Sequence, residues 1–369
     1  MTGKQIHIVA FDVPYPADYG GVIDIYYRIK ALYELGFKIT LHCFDYGRGE
    51  QPHLSEITEK VYYYSRSKTI WNGLNKRPFI VASRRSKAVL NRLLEDDFPI
   101  LFEGIHTAWF LENAVIQKRK TFVRTHNIEH DYYAALAENV GFLKSLYFKL
   151  EAYKLHRYES ILAKASKVLC IKESDAEHIR QLNKNTFVLP ASLPELTIKE
   201  YVHTELFALF NGNLSVPENE AAAIWIIENI WSNNSSLMPL KIAGKNPTER
   251  LIKLTNQYKI ALISNPSNEE MEALLSKARV HILVSDQSTG VKLKLLAALQ
   301  TSGHVLVNPK MIEGTNLGEL CTICENNIAF IDYLQKFEKI ELSNSMFNNR
   351  INIIREDFNT QVNCQKLFE

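Results

Sequence analysis

The chain has 369 residues, long for one hydrophobic core, so two domains of ordinary size are expected. Its 43 Lys and Arg against 41 Asp and Glu leave a formal charge of +2, too mild to argue for nucleic acid, and no nucleic-acid motif offsets that. Five cysteines, odd in number and mostly in apolar runs, speak against a disulfide-stapled secreted scaffold and suit a reducing compartment.

The first apolar run, residues 5–11, is too short for a membrane span and lacks the basic start and cleavage site of a signal peptide, so a cytoplasmic protein is expected. It reads as a strand. Further β-rich runs at 37–44, 59–64, 100–103, 121–124, 167–171 and 186–189 alternate with helical patterns at 22–35, 82–94, 108–118, 143–163 and 174–182. Such alternation predicts parallel β-α units with helices on both faces of one sheet. The pattern halts at Pro190 and stays irregular to His203, which sets a first domain at 1–195 and a second at 204–342. In the second, strands at 205–210, 240–243, 260–263, 280–285, 304–308 and 320–324 alternate with helices at 218–230, 247–257, 268–278 and 290–301. Residues 343–369 look helical and are expected to pack back towards the first domain. Two doubly wound, Rossmann-like α/β domains facing each other would enclose a central cleft lined by strand carboxyl ends, where this fold class binds ligands.

Candidate site residues cluster at those strand ends. Gly20 and Gly21 precede a helix, where a backbone can approach an anionic ligand, although a tight β-α turn explains them equally well. The fifth strand ends in the polar run Arg124-Thr-His-Asn-Ile-Glu-His130. There His126 could hydrogen-bond a sugar hydroxyl or shuttle a proton, with Glu129 and Asn127 orienting substrate. A lone histidine reads as structural; the clustering favours function. Glu103-Gly-Ile-His106 ends the preceding strand, and pairing of Glu103 with Arg124 is its plainer account.

In the second half, Gly212 permits close approach while Asn213 and Ser215 offer donors, and Gly244-Lys245 again puts a cation after glycine; ordinary turns account for each as well. Most informative is 285–295, a strand end followed by a helix start at Thr289 or Gly290. Its free amides, with Lys292 and Lys294, could hold a diphosphate. The Gly-Lys-Ser/Thr ending of a Walker A loop is missing. Cys321 and Cys324 have redox or zinc spacing but no second Cys/His pair, and core strand is the expected reading.

In chain order, Gly20-Gly21, His126, Phe210-Asn-Gly-Asn-Leu214, Ile242-Ala-Gly244, the run Thr289-Gly-Val-Lys-Leu-Lys to Leu299, and Gly303-His-Val-Leu-Val307 followed by Glu313-Gly314 resemble the motifs of the GT-B glycosyltransferases of family 4, over nearly the whole chain. The resemblance implies a GT-B fold with the nucleotide-sugar donor in the second domain and the acceptor in the first. It implies transfer of a hexose-type sugar to a glycan or lipid-linked acceptor with retained anomeric configuration, the leaving phosphate taking the acceptor's proton. No metal or other cofactor is implied, because protein cations and amides stabilise the diphosphate. By the same resemblance Lys292, Lys294, Gly290 and Thr289 contact the diphosphate, Gly20 and Gly21 lie near donor phosphate or acceptor, and His126 lies near the transferred sugar. Asn213, Ser215, Gly244, Lys245, Ser264, Asn265 and Glu313 are implied around nucleotide and sugar.

The sequence departs from the family in one respect. The positions matching its Glu-x7-Glu motif are Thr289 and Ala297, so the carboxylate that usually holds the ribose is missing, as are the Arg and Lys usual after the second domain's first strand. Two alternatives follow: an inactive GT-B protein that binds nucleotide or glycan or supports a partner enzyme, and a sugar-nucleotide epimerase or hydrolase using Glu103, Glu129 or Glu313. Bacterial surface polysaccharide synthesis is expected by analogy alone. Basic and aromatic residues in 143–157, including Lys144, Tyr147, Lys149 and Arg157, could touch an anionic membrane bearing a lipid-linked acceptor; a helix packed on the sheet with a solvated face is the plainer account.

Overall fold

A computed structural model describes residues 4–18, 20–67, 76–138, 140–193, 200–286, 293–313, 315 and 317–368. The chain divides into two compact units, the first containing Met1–Leu196 and Phe358–Glu369, the second Thr197–Ser288 and Lys292–Asp357.

In the first unit, β1 (Gln5–Ala10), β2 (Lys38–Asp45), β3 (Lys60–Ser65), β4 (Ile100–Glu103), β5 (Thr121–Thr125), β6 (Lys167–Cys170) and β7 (Thr186–Val188) form one parallel sheet in the order β3-β2-β1-β4-β5-β6-β7. Every residue of β4 and β5 is buried, as central strands covered on both faces require. The main helices are α1 (Gly20–Glu34), α2 (Lys87–Leu93), α3 (Glu129–Glu138), α4 (Phe142–Tyr158) and α5 (Glu173–Arg180).

Two predicted helices are broken. The 82–94 pattern stops at Ala82 and restarts at Lys87, because Ser86 accepts from the Val89 amide and caps a new helix. The 108–118 pattern becomes a 3-10 run, Ile105–Glu112, followed by a single turn that Asn113 caps.

The second sheet is also parallel: β8 (Glu205–Asn213), β9 (Leu240–Lys245), β10 (Ala261–Ser264), β11 (Ala278–Leu283), β12 (His304–Val307) and β13 (Thr322–Ile323), in the order β10-β9-β8-β11-β12-β13. Around it lie α6 (Pro217–Ile226), α7 (Glu249–Gln257), α8 (Asn268–Lys277), α9 (Leu293–Leu299), α10 (Asn327–Lys339) and α11 (Asn344–Asp357). Strands β8 and β9 outrun their predicted ends because the ladder continues through Gly212 opposite Gly244 and Asn213 opposite Lys245. Cys324 is buried and Cys321 half-buried beside β13, and burial pushes both thiols up to about 12, which suits core residues.

The C-terminal segment does not stay together. Helix α11 belongs to the second unit, whereas α12 (Thr360–Gln365) belongs to the first. There Cys364 and Leu367 enter the core with Ile25, Ile29 and Leu101, and the Phe368 ring stacks on Phe37 at 4.5 Å between centroids.

Candidate functional site

Each sheet reverses its winding once, between β1 and β4 and between β8 and β11. At such a switch point the loops leaving two adjacent strands diverge and open a crevice.

In the first unit, α1 starts at Gly20 and Gly21 after β1, and a Cβ added to Gly20 would meet nothing within 4 Å. One turn further, Asp24 and Arg28 turn inward beneath the strand ends. Arg28 donates to Asp24, and its Nε donates to Glu103 Oε1 at 2.9 Å. Arg124 Nε donates to Asp24 Oδ2 at 3.0 Å, while its other nitrogens bond the carbonyls of Cys170, Leu189 and Pro190. The expected Glu103–Arg124 pair is thus replaced by a crossed arrangement in which Arg28 serves both carboxylates.

His126 sits over this network at the end of β5. Its Nε2 lies 3.2 Å from Glu103 Oε2 and its Nδ1 3.6 Å from Asp24 Oδ2. The hydrogen bond to Glu103 orients the imidazole, while Nδ1 lies beyond hydrogen-bond reach of Asp24. Burial alone would raise the Asp24 carboxyl, but Arg124, Arg28 and His126 hold it well below the usual range. Burial likewise opposes ionisation of Glu103, and Arg28 and His126 overcome it. Beside them His106 stacks on Phe11 at 5.0 Å, and burial, then Arg84, keeps its imidazole neutral.

Glu129 stands apart from this network, in the first turn of α3 and only 7% exposed. Burial raises its carboxyl to about 7 despite the opposing pull of Arg84 and a hydrogen bond from Asn127. A carboxyl that titrates near neutrality is suited to proton exchange with a substrate. Because its folded value is raised, ionisation costs stability as pH climbs from about 4.5 to about 7 and costs nothing below that window. Glu129→Gln is therefore expected to gain on the parent by about 3 kcal/mol between acidic and mildly alkaline solution. Urea unfolding across that range checks it; a pH-independent difference would remove the raised carboxyl from the account.

In the second unit, Lys294 on α9 donates to Asn219 Oδ1 at 3.0 Å, with its ammonium 5.0 Å from the Phe210 ring centroid. Asn219 in turn donates to the Asn213 carbonyl at 3.0 Å, and the Ser215 hydroxyl donates to Asn213 Oδ1 at 2.8 Å. Three predicted residues, Lys294, Asn213 and Ser215, are thereby joined through Asn219, which sequence reading passed over. Across the switch point the Ser285 hydroxyl donates to Glu218 at 2.6 Å, and Asn308 clamps both the amide and the carbonyl of Ser285. A cavity of about 360 Å³ opens there, lined by Trp225, Ser285, Asp286, Asn308, Lys310 and Phe330.

Other predicted residues are spread more widely. Lys245 is exposed beside Asn213. Ser264 and Asn265 are exposed at the end of β10, two strands from β8, where Asn265 has a φ of 52° and its side chain accepts from the Asn246 amide at 2.8 Å. Glu313 is exposed after the helical turn Pro309–Ile312. Thr289, Gly290, Lys292 and Gly314 lie outside the described residues.

No family model matches the sequence. A Klebsiella pneumoniae protein, described as an uncharacterized 44.6 kDa protein in the cps region, is 27% identical over 390 residues, covering 99% of each chain. Among solved structures, a mutant of S. aureus TarM in complex with fondaparinux, alpha-GlcNAc-glycerol and UDP superposes with a TM-score of 0.66 at 11% identity, over 99% of both chains. Anabaena HepE in complex with UDP and glucose gives 0.65 at 11% identity over 99% of this chain and 98% of that one. The chain has the GT-B fold. A glycosyltransferase from Rickettsia africae shares it, with a TM-score of 0.66 at 14% identity over 99% of this chain and 97% of that one. At such identities the GT-B likeness is one of backbone architecture, and the chemistry has to be argued from this chain's own residues.

Proposed function

We propose that the chain is a retaining, metal-independent glycosyltransferase that moves a hexose-type sugar from a nucleotide-sugar donor to a glycan or lipid-linked acceptor, in bacterial polysaccharide synthesis on the cytoplasmic side of the membrane. The observation that carries this reading is the Lys294 ammonium, held by Asn219 and Phe210 beside the end of β8. A cation fixed at the switch point of a doubly wound sheet is placed to stabilise a diphosphate as the glycosidic bond breaks. The UDP complexes among the GT-B neighbours and the cps-region relative support the same reading.

In this mechanism Lys292, Thr289 and the Gly290 amide join Lys294 on the diphosphate. Asn213, Ser215, Gly244, Lys245, Ser264, Asn265 and Glu313 surround nucleotide and sugar. His126 hydrogen-bonds the transferred sugar in an orientation set by Glu103, Glu129 with Asn127 orients substrate, and Gly20 and Gly21 leave room for close approach. The leaving phosphate accepts the acceptor's proton, so charge is managed by protein cations and amides.

A thermal-shift screen against UDP, GDP, ADP and their sugar conjugates tests the donor site. One nucleotide at a hundredfold excess over its Kd is expected to stabilise the parent by about 2.7 kcal/mol, and Lys294→Ala to lose most of that. Equal stabilisation of both proteins would sink the diphosphate assignment. Ala297 on α9, where a glutamate would hold the ribose, favours a second reading: a GT-B protein that binds nucleotide without transferring sugar. Nucleotide binding with no turnover over a panel of acceptors selects it.

The membrane proposal rests on α4. Instead of the solvated polar face expected, this helix exposes Phe142 (82%), Leu143 (79%), Leu146 (60%) and Leu150 (50%), with exposed Lys144, Lys149 and Arg157 among them. Among the described residues no helix is long and apolar enough to cross a membrane. An apolar row edged by cations fits the headgroup region of an anionic bilayer. Phe142→Asp/Leu146→Asp is expected to cut co-sedimentation with phosphatidylglycerol vesicles about tenfold or more. No binding by the parent, or undiminished binding by the variant, would end this part of the proposal.

A further inference from the structure

The first unit gathers two of the chain's 11 histidines, His130 and His178, around the carboxylate of Glu159, outside the network that orients His126. His130 comes from α3, Glu159 from the 3-10 segment Glu159–Lys164 that follows α4, and His178 from α5. Glu159 is 3% exposed, and each of its oxygens meets an imidazole: Oε1 lies 2.6 Å from His130 Nδ1 and Oε2 3.1 Å from His178 Nε2. Ligand atoms of His130, Glu159 and His178 all fall within 4.8 Å of one another.

The geometry points to a divalent-cation site of the zinc type, formed by His130, Glu159 and His178, three donors that leave a fourth position for water. Imidazole nitrogens with one carboxylate are a zinc donor set, and metal–ligand bonds of about 2.0–2.2 Å in a tetrahedron separate the ligands by about 3.3 Å, so small side-chain shifts complete the site. Charge separates this cluster from Asp24, Glu103 and His126, the other group of compatible spacing. There Arg28 and Arg124 already occupy the carboxylates, and two guanidiniums repel a cation. Around Glu159 the bonded partners are imidazoles, which lose their protons to bind metal. A bound ion would pin α3, the end of α4 and α5 together, a structural role separate from the metal-independent transfer proposed above.

The test uses the full, tag-free chain stripped with a chelator. One equivalent of Zn²⁺ is expected to survive gel filtration by elemental analysis, Co²⁺ to give the visible ligand-field bands of a tetrahedral site, and Zn²⁺ to raise Tm. His178→Ala, on a half-exposed helix face, is expected to weaken Zn²⁺ binding by at least about tenfold while folding normally, and Glu159→Gln to do the same. No retained zinc in the parent, or unchanged affinity in His178→Ala, would overturn the site. Metal content is the readout, so failure of the nucleotide screen leaves this result standing, and the reverse holds too.

Discussion

Replacing Arg28 with methionine is expected to destabilise the protein by about 3–5 kcal/mol, because a buried charge pair that loses one partner leaves the other uncompensated. Arg28 is fully buried and bonds both Asp24 and Glu103, so its removal strips Glu103 of its only arginine among the described residues and leaves Asp24 with Arg124 alone. The fall in Tm should be on the order of 10 °C. Adding Glu103→Gln restores the local charge balance, and the double variant should lose less than the sum of the two single losses. Strict additivity would show that Arg28 matters for packing alone. Acid is expected to mimic the lesion: both carboxyls are held below their ordinary values, so their contribution is present at neutral pH and fades as pH falls through the folded values.

Gly244→Ala is the second large effect, expected to cost about 3 kcal/mol or more through overpacking. A Cβ at Gly244 would stand 1.8 Å from the Gly212 carbonyl oxygen and 3.0 Å from Leu214 Cγ, forcing β8 and β9 apart where they are still paired. Urea unfolding of the variant decides between the two accounts of this glycine. Lost stability marks a strand-packing role. A stable variant that no longer responds to nucleotide would make close approach of the donor its reason.

Sequence pattern reached most of the architecture because buried parallel strands advertise themselves as short apolar runs between amphipathic helices. What it misplaced was decided by single side chains: Ser86 and Asn113, which restart helices by capping them, and Gly212 and Gly244, which carry strands past their apolar portions. Helix α10 went unread although Asn326 caps it and Phe330, Leu334 and Phe337 mark its buried face.

The candidate site was legible at strand ends and illegible one layer below. Charged Glu103 and Arg124 inside apolar strands announced that each needed a partner, and only the folded chain shows that the partners are Asp24 and Arg28. Within an amphipathic helix those two read as surface. Their spacing of four on the side shared with Ala31 was the available signal. The His130 cluster was illegible for another reason: its members are spread over 49 positions of sequence and meet only through helix packing.

The return of α12 to the first unit has a consequence for the order of events on the ribosome. The first sheet is translated early, but Cys364, Leu367 and Phe368, which seal its core against Phe37 and Phe122, emerge only after the whole second sheet. The nascent first unit therefore carries an open apolar surface throughout synthesis of the second, and a chain released before residue 358 leaves that surface uncovered for chaperones and proteases to find.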